Sequence, residues 1–120
     1  MARFFSENPS LATRASQTWQ ILVCKASNRQ TLTYGQLAEL LGFKGAGTLA
    51  HLLGHIMYYC IQNDLPPLTV LVVNQETGLP GKGLIKADFN ADREDVFSFD
   101  WFAVVPPTPD ELTNAYERKG

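Results

Sequence analysis

Apolar side chains recur along this chain first with a helical period and later with a shorter one. Over residues 11–26, Leu11, Ala15, Trp19 and Val23 fall every four positions while Thr18 and Gln20 turn outward, as a one-sided helix requires. Ser10 can cap its first turn, after a loose N-terminal arm that ends at an Asn8-Pro9 turn signal. Ser27-Asn28-Arg29-Gln30 is a turn. A second helix is predicted over Tyr34–Leu41, burying Leu37, Ala38, Leu40 and Leu41. Thr33 and Gln36 have the capping-box spacing, in which a hydroxyl and a side-chain amide each satisfy a backbone N–H. Gly42 is placed to end that helix in a left-handed cap.

A flexible connector, residues 43–47, leads to the longest predicted helix, 48–62. Leu49, Leu52, Leu53, Ile56 and Cys60 form its apolar stripe. Thr48, His51, His55 and Tyr58 form a second, polar stripe. Pro66 and Pro67 break the helix and set up an extended exit. Residues 68–74, rich in Val and Leu, predict a strand. Gly78, Pro80 and Gly81 mark a hairpin tip, and residues 83–87 predict a returning strand. Two helices followed by two strands around a lysine-bearing loop make a winged helix-turn-helix. The expected fold is therefore mainly α with a small β wing.

The rest of the chain adds helices. Residues 92–97 predict a short one, with acidic residues suited to its first turn. Thr108-Pro109-Asp110-Glu111 combines a Thr cap, Pro at the first position and Glu at the third, so a helix over 109–119 should lie on the body. One domain is expected, with residues 11–87 as the winged core and 88–120 as an acidic extension packed on it. Phe97, Phe99, Trp101 and Phe102 are expected in the core, with an oligomer interface as the alternative. Asp88, Asp92, Glu94, Asp95 and Asp100 lack an EF-hand order and should form a solvated acidic face.

Composition narrows the function classes. With 120 residues, 45% apolar and 18% charged, the chain has ordinary globular composition and can bury about two-thirds of its unfolded surface. The longest apolar run, residues 56–61, is too short to span a bilayer, and the N-terminus has no signal-peptide apolar segment. Cys24 and Cys60 lie in apolar helical patterns and are expected as buried free thiols. A cytoplasmic protein with no membrane partner is expected. The net charge of −2 hides an asymmetry: residues 1–86 hold seven Lys/Arg and four Asp/Glu, whereas 87–120 hold three and eight. A mildly basic body could meet phosphate, and the acidic tail could meet a protein partner.

Candidate chemistry is sparse. His51 and His55 have the i, i+4 spacing of metal ligands, but no HExxH or CxxC accompanies them, so neither metal nor cofactor is expected. Residues 78–83, GLPGKG, lack the spacing and terminal hydroxyl of a phosphate loop. The polar stripe suits either major-groove contact or a solvated or protein-binding face. Tyr34 suits either a nucleotide-contacting role or a staple onto the core. Lys82 and Lys86 suit a wing that touches the DNA backbone.

Trp19-Gln20-Ile21-Leu22, Thr33-Tyr34-Gly35-Gln36-Leu37-Ala38, then Gly42, Gly54, Asn63, Pro66, Val72-Val73, Gly78 and Gly81 form a recognisable series. Over roughly residues 17–83 it resembles the C-terminal DNA-binding domain of O6-alkylguanine-DNA alkyltransferases and the alkyltransferase-like proteins. In that family a Pro-Cys-His-Arg motif precedes the Val-Val pair. Here Leu68, Thr69, Val70 and Leu71 stand there, with Thr69 in the place of the alkyl-accepting Cys. A thiolate nucleophile needs a base or positive field beside it, and Val70 and Leu71 supply neither. His51 takes the place of the Arg that enters the base stack, and Tyr34 that of the Tyr that rotates the target nucleotide. The resemblance thus implies a non-catalytic DNA-binding protein, with sensing of modified or distorted duplex as a role within its reach. Thr33, Tyr34, Lys44, Thr48, His51, His55 and Lys82 would contact double-stranded DNA. The alternative is a protein–protein interaction module on the same fold that has lost DNA binding.

Overall fold

In the computed structural model, which describes residues 10–44 and 47–119, the chain is mainly helical. The first helix, α1 (Leu11–Ser27), starts where the Ser10 hydroxyl accepts the Thr13 N–H at 3.1 Å. It buries Ala15, Thr18, Trp19, Leu22, Val23 and Ala26, a broader stripe than one residue in four. Thr18 does not turn outward as expected. Its hydroxyl donates to the Arg14 carbonyl at 2.9 Å, so the side chain enters the core with its polar group satisfied. Cys24 is exposed, Cys60 is buried, and both are free thiols. The expected N-terminal arm, 1–9, and residues 45 and 46 of the connector lie outside the described residues.

The capping box forms as predicted. Gln36 N–H donates to Thr33 Oγ1 at 3.0 Å, and Thr33 N–H donates to Gln36 Oε1 at 2.9 Å. This box opens α2 (Tyr34–Leu41), and Gly42 closes it at φ +77°, a conformation a side chain would strain. Two turns of helix can bury only one stripe. Leu37, Ala38 and Leu41 fill it, and Leu40, expected inside, stays exposed. The third helix, α3 (Leu49–Gln62), buries all five residues of its predicted apolar stripe, with Gly54 and His55 besides. Thr48 precedes it with helical dihedrals and no side-chain cap.

The expected two-stranded wing does not form after α3. Residues 68–71 make a 3-10 turn, because Pro66 and Pro67 fix the approach and their carbonyls accept the N–H groups of Leu68 and Val70. Only Val72 and Val73 are extended. They form β2 and pair in parallel with β1 (Leu32–Thr33), Leu32 opposite Val72. The predicted hairpin tip is a self-contained turn. Asn74 Oδ1 accepts from Glu76 and Thr77, and Asn74 N–H donates to the Leu79 carbonyl at 2.8 Å. The returning strand is absent because its amides go elsewhere. Lys86 and Ala87 N–H both donate to the Asp92 carboxylate, at 2.6 and 3.1 Å, leaving nothing for a ladder.

Asp92, expected on a solvated face, is buried within α4 (Phe89–Ser98) for this purpose. The last helix, α5 (Pro109–Glu117), has the predicted box: Glu111 N–H donates to Thr108 Oγ1 and Thr108 N–H to Glu111 Oε1. It packs on α3 and α1. The tail completes the core, placing Val96, Trp101 and Leu112 among the buried residues of α1, α2 and α3. Trp19 sits edge-on between Tyr59 and Trp101, with centroids 5.7 Å away on each side. Trp101 Nε1 donates to the Val96 carbonyl at 2.8 Å. Phe97 and Phe99 pack against this core, whereas Phe102, expected there, is 76% exposed. No described helix is long and apolar enough to cross a membrane.

Candidate functional site

The polar stripe of α3 is where sequence reasoning concentrates function, and α5 lies across it. Tyr116 is the contact residue. Its ring stacks on His55 with centroids 4.4 Å apart and planes 7° from parallel, and meets His51 and Tyr58 edge-on. Its hydroxyl shares a 3.1 Å hydrogen bond with His51 Nδ1. Lys119 Nζ sits 3.7 Å from the same ring centroid. An ammonium that close cannot share a face with the stacked imidazole, so the tyrosine is clamped between an imidazole and a cation. Gly54 makes the approach possible, since a Cβ there would lie 2.9 Å from Tyr116 Cε1. Farther along, Gln62 Nε2 donates to the Ala115 carbonyl at 2.8 Å.

His55 is correspondingly 6% exposed. Its Nδ1 lies 2.6 Å from the His51 carbonyl, which can only accept, so the proton is on Nδ1 and the ring orientation is fixed. The expectation that His55 faces a DNA groove is corrected: a stacked, hydrogen-bonded ring under α5 has no open face. Of the α3 stripe, Thr48 and His51 are exposed and Tyr58 is half-buried, so the covering is complete only at His55.

The other expected DNA contacts divide the same way. Lys44 and Lys82 are exposed. Thr33 commits its hydroxyl to the α2 cap. Tyr34 packs partly against the core, and its hydroxyl accepts the Gly81 N–H at 3.1 Å. Tyr34 therefore acts as a staple, tying α2 to the loop after β2. The structure gathers His51 and His55 at one place, around Tyr116.

The position of the family nucleophile is equally closed. Thr69 lies in the 3-10 turn with Leu68, Val70 and Leu71, all fully buried. Its hydroxyl has no hydrogen-bond partner among the described residues. Thr69 is fully buried, and no described residue forms a hydrogen bond with its hydroxyl through which a base could activate it.

Two structural features are only weakly signalled by the sequence. Tyr116 is legible only as one residue of a terminal helix; nothing in its spacing names His55 as its partner. The second is the segment after α4, where Phe102 and Val105 are 76% and 83% exposed and the exposed acids Asp100 and Asp110 are close in sequence. Its pattern of large apolar residues suggests burial instead. No family model matches this chain, and neither a curated protein nor a solved structure does. The likeness to the alkyltransferase group therefore stands on its sequence motifs alone.

Proposed function

We propose that this chain is a non-catalytic protein-interaction module, built on an alkyltransferase-like helix-turn-helix scaffold whose groove-reading helix its own C-terminal helix has covered. The stack of Tyr116 on His55 carries this reading. A recognition helix must lie in the major groove with its polar side chains free, and most of this one is engaged. The sealed, apolar surroundings of Thr69 support the non-catalytic part. The contact surface is the strip at Phe102 and Val105. Exposed apolar residues are ordinary singly, but two large ones within four positions, with exposed acids close in sequence, fit a partner that presents apolar and basic groups.

One observation favours a second reading, in which the first turn of α3 still meets duplex DNA: Thr48, His51, Lys44 and Lys82 remain exposed. Fluorescence anisotropy with plain and O6-alkylated duplexes separates the two. The interaction-module reading expects flat titrations even at low salt. Saturable binding with a log–log salt slope of about −2 to −4, lost in the His51→Glu/Lys82→Glu double variant, would establish DNA contact instead. On the partner side, affinity capture with Phe102→Asp/Val105→Asp beside the native chain should lose whatever protein the native chain retains. Identical capture by both would reject the strip.

A further inference from the structure

A pocket of about 360 Å³, in the size range of small-molecule sites, lies against α3 and the segment before α4. Met57, Cys60 and Ile61 of α3 line it, with Leu84 and Ile85 from the segment before α4. Its interior is apolar. Cys60 is 1% exposed, and burial pushes its thiol up to about 12, so it stays neutral and behaves as part of a hydrophobic wall.

Two charged residues also line the cavity, Asp64 and Lys86, both exposed to solvent. Their main chains are fixed. Asp64 is held at φ +55° with its N–H on the Ile61 carbonyl, and Lys86 donates its N–H to Asp92. Their side-chain charges are not engaged: neither the carboxylate nor the ammonium has an ion-pair or hydrogen-bond partner among the described residues. A largely apolar pocket thus has an exposed anionic residue and an exposed cationic residue on its lining.

We propose that this cavity binds a free α-amino acid with an apolar side chain. The side chain fills the chamber, the ligand ammonium meets Asp64 and the ligand carboxylate meets Lys86. Charge complementarity selects the zwitterion. A simple carboxylate would leave Asp64 repelling it, and a simple amine would leave Lys86 doing so, while a zwitterion pairs both. The site is independent of the protein-interaction reading and shares no lining residue with the Phe102 and Val105 segment.

Methyl NMR tests it directly, because Met57 is in the wall and Met1, the other methionine, is an internal reference. Titration with L-phenylalanine or L-leucine should shift the Met57 methyl saturably, with a dissociation constant on the order of a millimolar or tighter. Phenylacetate and phenethylamine, each lacking one charge, should bind more weakly than L-phenylalanine by about threefold or more. Asp64→Asn and Lys86→Gln should each weaken L-phenylalanine binding by a similar factor. Leu84→Trp should fill the chamber and abolish the shift at unchanged Tm. If that variant does not fold, Ile61→Glu, at a side chain already 64% exposed, places a charge on the wall and should do the same. A Met57 signal that never moves overturns the site. So does a shift that survives the wall variant. Equal binding of the one-charge analogues overturns the zwitterion assignment.

Discussion

Thr69 is the residue where chemistry and stability part company. A hydroxyl sealed in the core without a partner costs free energy, and an isosteric methyl would not. Thr69→Val should therefore stabilise the fold by about 0.5–1.5 kcal/mol in urea unfolding. A loss of stability would mean the hydroxyl serves a purpose. Gly54 makes the opposite case. Ala would normally favour a helix interior by about 1 kcal/mol over Gly. Here its Cβ would press on a ring held on both faces, so Gly54→Ala should cost about 1–3 kcal/mol. In a Tyr116→Ala background the same substitution should turn stabilising. A double-mutant cycle with no sign change would show that the two residues do not press together.

At the level of elements, Asp92 decides that residues 83–87 are not a strand. It draws two consecutive amides to one carboxylate and fixes the segment that walls the cavity beside α3. Asp92→Ala leaves both amides without their acceptor and should cost about 2–3 kcal/mol by chemical denaturation. A cost near zero would mean solvent replaces it freely. The same helix carries an ion pair. Arg29 reaches Glu94 at 2.6 Å, and this hydrogen bond, helped by Ser98, holds the Glu94 carboxyl below its usual value. A lowered carboxylate stabilises the fold above its unfolded pKa, and that contribution fades as pH falls through the folded value. Arg29→Ala should move the Glu94 titration upward when followed by carboxyl NMR. Both groups are open to solvent, so the effect on stability should be small.

The molecule as a whole depends on its tail. Leu112 is fully buried and Trp101 nearly so, each sharing one core with α1 and α3. Deleting residues 108–120 should therefore broaden or abolish cooperative thermal unfolding by circular dichroism rather than merely uncover the α3 face. A truncated chain that melts sharply would show that the α3 face can be exposed with the body intact, and would reopen groove binding.

Much of this architecture is written locally. Ser10, Thr33, Gly42 and Thr108 act within a few residues of themselves, so their caps, and the helices they bound, are legible from the chain. The apolar stripe of α3 is legible for the same reason, because a helix repeats every 3.6 residues whatever it packs against. Tertiary structure decided the rest. Val72 found Leu32 forty residues earlier, residues 86 and 87 gave their amides to Asp92, and Tyr116 took the imidazole that spacing alone offered to a DNA groove. Those outcomes turn on which distant group reaches a donor, an acceptor or a ring face first, and sequence periodicity carries no record of that competition.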